Sequence, residues 1–195
     1  MKCRVHKKQI IEIGDPPKVF AGIMGFNNLP DSEQRKYGWF PFEGDDEPDH
    51  DPRTQSVRWD VEFGDVVRSR ARVVDLTEDE RAHVLAERRE ALLSELAALR
   101  WEHQTAGVEY AGVRLHTDPS SVMALRMAAQ EGEGDLWKGM DSQWITLSPG
   151  GLLEASQRAT THVRDCFARE AELAHAIRKA DHDALDELDM TQGWP

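Results

Sequence analysis

The chain has 195 residues, 36 acidic against 24 basic, and a formal net charge of −12. Only 39% of the residues are hydrophobic and 31% are charged, so any core is thin, but six tryptophans supply large apolar area in few positions and argue against disorder. No apolar run approaches the roughly 18–20 residues of a membrane-spanning helix, the basic start lacks the apolar stretch of a secretory signal, and two distant cysteines, Cys3 and Cys166, exclude a disulfide framework and a four-cysteine zinc site.

Residues 1–75 read as short strands and turns. Ile10, Ile11 and Ile13 close a first β-like run at Gly14, and residues 19–26 suggest another strand. Asp31 is placed to cap a single helical turn over residues 31–36. YGWFPF follows, with Tyr37, Trp39, Phe40 and Phe42 crowded into residues 37–42. The run EGDDEPDHD (residues 43–51) lacks the alternating ligand order and central glycine of a calcium loop, and reads as an exposed acidic loop. Val57, Trp59, Val61 and Phe63 alternate with Arg58, Asp60 and Glu62, the pattern of a strand with one apolar face. Gly64 and Asp65 suit a two-residue turn. Arg68, Arg70 and Arg72 share one face of the return strand, where Asp60 and Glu62 are their expected partners across the hairpin.

Residues 76–195 read differently. Thr77 and Glu80 form a reciprocal capping box opening a helix over about residues 77–104, with Leu85, Leu92, Leu96 and Leu99 at heptad-like spacing. A small hairpin turns at Gly112. Asp118 and Pro119 open a second helix, which Gly132 and Gly134 end. Leu136 to Lys138 and Trp144 to Leu147 suggest two strand pieces, and Ser148 with Pro149 opens a long helix over about residues 149–180. Cys166 falls inside its apolar stripe and reads as a small buried hydrophobe. Matching stripes predict that Leu92, Leu96, Leu99, Val163, Phe167 and Ile177 share one core. Trp194, in a polar tail, is expected to dock on the fold. The expected class is therefore α+β: a β-rich module (residues 1–75), then a helix–hairpin–helix–strand–helix domain (residues 76–195) with two long helices on a small antiparallel sheet.

No GxSxG, HExxH, GxxxxGK[ST] or GxGxxG motif is present. His50 and His182 each lie between two aspartates, but no converging ligand spacing accompanies them. The expectation is a binding protein rather than an enzyme, with no catalytic residue, metal or cofactor.

The order of motifs carries a resemblance. LRWEHQTAGVEYAGVRLHTDPSS, a Met/Ala-rich helix, LWKGMDSQWITLS and VRDCFAREAELAHAIRKA follow one another from Leu99. Upstream come Gly38 to Pro41, a Pro-x-x-Asp-Pro loop from Pro48, and the Thr77 helix start. Over residues 37–180 this resembles a domain-of-unknown-function family in tail-associated proteins of tailed bacteriophages, departing from its usual Asp-Gly turn at Met140 to Gln143. The resemblance implies a structural part of a tail tip, baseplate or fibre attachment, made in the host cytoplasm and residing in the virion. The alternative is a non-virion tail-fibre assembly chaperone. Expected partners are other phage tail or baseplate proteins, with the tail fibre and a second copy of the chain as further candidates. Neither nucleic acid nor membrane is expected. Tyr37, Trp39, Phe40 and Phe42 are the candidate partner interface, with the acidic loop at its rim.

Overall fold

The computed structural model describes residues 1–195, Asp135 by its backbone alone. The fold is α+β, a β-rich region followed by helices. The chain divides into two compact units, Met1–Ala82 and His83–Pro195. The sequence suggested a division between residues 75 and 76; the division falls instead within the first turns of a helix.

In the first unit, β1 (Lys2–His6) and β2 (Gln9–Gly14) form an antiparallel hairpin with His6 opposite Gln9. Lys7 and Lys8 both take positive φ, 50° and 62°, as a two-residue turn of the primed type requires. Residues 19–26 are not one strand. β3 (Val19–Phe20) and β4 (Ile23–Met24) fold back on each other around Ala21 and Gly22, and a 3-10 turn follows at Phe26–Asn28. α1 (Asp31–Arg35) is capped by Pro30 without a side-chain hydrogen bond. Asp31 is therefore not the cap; its carboxylate accepts from Lys2 Nζ at 2.6 Å.

β5 (Trp39–Gly44), β6 (Gln55–Glu62) and β7 (Val67–Asp75) complete a five-stranded sheet in the order β2-β1-β5-β7-β6. The β5–β7 pair is parallel and the others antiparallel. Residues 63–66 connect β6 to β7, a longer link than the two-residue turn expected at Gly64 and Asp65. Among its apolar residues Cys3, Phe26, Trp39 and Val67 are fully buried.

α2 (Glu78–Thr105) begins with the capping box: Thr77 N–H donates to Glu80 Oε2 at 2.8 Å, and Glu80 N–H to Thr77 Oγ1 at 3.3 Å. In the second unit β8 (Val108–Tyr110) and β9 (Val113–Leu115) form a hairpin. α3 (Pro119–Glu131) starts under the Asp118 carboxylate, which accepts from Ser120 and Ser121 N–H, and ends at left-handed Gly132. β10 (Asp135–Lys138) and β11 (Trp144–Leu147) form a second hairpin, then come α4 (Pro149–Lys179) and α5 (His182–Asp186).

The strands of this unit stay in two separate hairpins rather than forming one small sheet. The apolar residues also sort into two cores along α4. Its first half, with Leu152, Ala155 and Ala159, packs with Val113, Leu115, Leu125 and Leu147 from the hairpins and α3. Its last turns, with Leu173, Ala174 and Ile177, pack with Leu96 of α2 and with Leu185 and Met190. Trp194 docks on this second core, its ring stacked on His103 with centroids 4.9 Å apart. No helix among the described residues is long and apolar enough to cross a membrane.

Candidate interaction surface

Strand alternation decides the fate of the aromatic segment, because neighbouring residues of β5 point to opposite faces. Trp39 lies opposite Arg4 of β1 and is fully buried. Its ring meets Phe20 edge-on at 6.1 Å; Phe20 packs on Phe26 at 5.0 Å, and Phe26 meets Tyr37 edge-on at 5.6 Å. Trp39 is thus the centre of an aromatic core and offers nothing to a partner. Phe40, opposite Cys3, and Phe42, opposite Val67, are half-buried, while Tyr37 is exposed. Of the four expected interface residues, Tyr37 alone is open.

The acidic rim is also partly neutralised. The parallel register sets Glu43 beside Arg68. Arg68 Nε donates to Glu43 Oε2 at 2.9 Å, and Arg70 Nη1 to Asp45 Oδ1 at 2.8 Å. The Arg70 hydrogen bond and the Ala71 N–H hold the Asp45 carboxyl below its ordinary value. Only Arg72 finds the expected cross-hairpin partner, Asp60, at 3.8 Å. Asp46, Glu47 and Asp49 remain exposed at the tip of the loop.

The six residues predicted to share one inter-helix core also divide. Leu96 and Ile177 are buried together, and Leu92 and Leu99 pack against them. Val163 and Phe167 do not join. They lie two or more turns nearer the α4 N-terminus, where the helix faces α3, and Phe167 is 48% exposed. Here Val163 and Phe167 line a groove of about 320 Å³ with Val122, Met123, Gln104 and Arg126. The Arg100 guanidinium lies 4.7 Å from the Phe167 ring centroid and pairs with Glu170 at 3.4 Å. Below it is a buried polar knot: Arg100 Nη1 donates to Gln104 Oε1 at 2.6 Å, Gly107 N–H to Thr117 Oγ1 at 3.0 Å, and His162 Nε2 lies 3.0 Å from His103 O. Cys166 is buried beside His162, Sγ to Nε2 3.9 Å, and burial pushes its thiol up, away from nucleophilic reactivity.

Two surfaces escaped the sequence reading. The apolar face that alternation marked on β6 stays open at Trp59 and Val61, and Phe63 just past the strand is open too. The α3–α4 groove was read as a helix core. The signal was present in both cases as apolar periodicity; which face is covered was not. Among the described residues no group of three or more His, Cys, Asp or Glu is placed to hold a metal ion.

Fold and surface together define a two-unit α+β protein whose helical unit builds two cores along one long helix and keeps an apolar groove open beside them. That unit matches a family: residues 87–191, just over half of the chain, fit the domain of unknown function DUF4376, and the chain belongs to it. The matched span runs from within α2 past α5, so it contains the groove and excludes β1 to β7. No curated protein and no solved structure matches the chain.

Proposed function

We propose that the chain is a structural component of a bacteriophage tail, at the tail tip, baseplate or fibre attachment, and acts through protein–protein contacts. The observation that carries the contact role is the display of large apolar side chains on a strongly charged protein: Trp59, Trp101, Trp144, Phe63 and Phe167 are all exposed. Tryptophan buries much area at little entropic cost and dominates interface energetics. The placement in a phage tail rests on the motif order from Leu99 to Ala180. The reading assigns the chain no catalytic activity, and the net charge of −12 favours basic partner surfaces.

Quantitative protein measurement on purified particles tests it. A virion part is present at a fixed small-integer ratio to other tail proteins. Absence from particles, with fibres insoluble when the protein is missing, would transfer the reading to an assembly chaperone. Changing Tyr37 and Phe40 together to Ser locates the docking site: full occupancy of particles by a folded double variant would move attachment away from this segment.

A further inference from the structure

We propose that β6 is the two-fold interface of a homodimer, pairing antiparallel with β6 of a second copy so that two five-stranded sheets join edge to edge. β6 is the last strand of its sheet. An open edge offers unpaired N–H and C=O groups to another strand, and folded proteins blunt such edges or use them. Here the edge is long and regular: all eight residues from Gln55 to Glu62 pair with β7 in unbroken register. It also carries an exposed apolar face, with Trp59 at 43% and Val61 at 36% exposure, continued by Phe63 just past its end at 42%. The opposite edge, β2, is less suited, because a bulge interrupts its pairing between Arg4 and Val5 and locally twists the strand.

Charge selects both the occupant and the register. A two-fold axis at residue n pairs n + k of one strand with n − k of its copy, on the same face. With the axis at Trp59, Arg58 faces Asp60 of the second copy twice. Val57 then faces Val61 twice, Ser56 faces Glu62 twice, and Trp59 meets its own copy. Each neighbouring register is poorer on charge. An axis at Arg58 sets two arginines on each other with no ion pair in return, and an axis at Asp60 sets that residue on its own copy beside two Arg58–Glu62 pairs. An axis at Val61 sets Asp60 against Glu62 twice, and an axis at Val57 forms no ion pair within the strand. Arg58 and Asp60 can be drawn into such pairs, since their contacts within the chain, to Glu80 and Arg72, are exposed and long at 3.8 Å. Of these registers the one centred on Trp59 alone forms two ion pairs and opposes no like charges.

The test is the oligomeric state of the full chain by sedimentation equilibrium, with far-UV circular dichroism to confirm folding. The wild-type chain is expected to be a dimer. Arg58→Asp and Asp60→Arg each turn two attractive cross-strand pairs repulsive, and each should weaken dimerisation at least about tenfold. An equimolar mixture of the two variants should recover the dimer, because every introduced aspartate then faces an arginine. A monomeric wild type overturns the proposal and leaves the edge to a strand of another protein. So does a trimer, a single variant that dimerises as tightly as wild type, or a mixture that stays monomeric. If either charge variant misfolds, Trp59→Cys serves instead: residues opposed at the axis are within reach of a disulfide, and Cys3 and Cys166 are buried and do not compete. Mild oxidation should link Trp59→Cys chains to one another; failure to link overturns the proposed register and axis.

Discussion

Residues 1–82 and residues 83–195 place their apolar side chains in different ways. The first unit is a five-stranded sheet with four fully buried apolar residues, Cys3, Phe26, Trp39 and Val67, and its large aromatics meet edge-on around Trp39. The second distributes burial over two contiguous clusters on either half of α4. A thin sheet of this kind depends on single large residues and leaves apolar strand faces open at its edges. A helical unit with two cores tolerates local loss better and leaves its opening between the cores, at Phe167.

The sharpest test of that contrast is Trp39→Ala. Removing the one central ring of the first unit should destabilise it by about 3–5 kcal/mol, read by urea denaturation. Trp39→Phe should cost far less, because it keeps ring area and removes an indole N–H that is buried without a partner among the described residues. If Trp39→Ala costs no more than a surface change, the first unit does not hang on its aromatic centre. Next comes Leu96→Ala, at about 2–5 kcal/mol for a buried leucine, against about 1 kcal/mol or less for half-exposed Phe167→Ala. Equal losses from the two in thermal melts would restore the single inter-helix core that the stripes suggested.

A comparably small effect is expected at Asp118. Hydrogen bonds from the Ser120 and Ser121 hydroxyls, with their backbone N–H groups, hold its carboxyl well below the ordinary range. Asp118→Ala should cost about 1 kcal/mol as a lost helix cap. The folded state favours the carboxylate, so this contribution is present above the ordinary carboxylate pKa of about 4 and lost as pH falls through the lower folded value. Asp118→Asn keeps a cap without a charge. The melting-temperature gap between it and wild type should therefore narrow on acidification below that pH; a gap that does not change with pH would show that ionisation of Asp118 contributes nothing.

Much of the second unit was legible because its signals are local. Asp118 before Pro119, Ser148 before Pro149 and the turn at Gly112 each act over four residues or fewer, as does the Thr77–Glu80 box at the end of the first unit, and the helices α2, α3 and α4 follow. The hairpin at Lys7 and Lys8 was not legible, since two lysines in the left-handed region carry none of the Asn or Gly chemistry that marks such turns.

Local patterns therefore carried the α+β class, the starts of α2, α3 and α4 and the alternation of apolar and polar residues along β6. Which of those apolar faces are covered, and which charges meet, came from contacts between residues far apart in the chain. Periodicity says that Trp59, Val61, Val163 and Phe167 share a side with other apolar residues. Whether another element lies over that side depends on strand order and on where along a 31-residue helix the neighbours stop. The arginines of β7 show the same limit. Arg68 and Arg70 meet Glu43 on β5 and Asp45 just past its end, brought there by a parallel pairing across the sheet, and no spacing rule within the β6–β7 hairpin could place those carboxylates beside them.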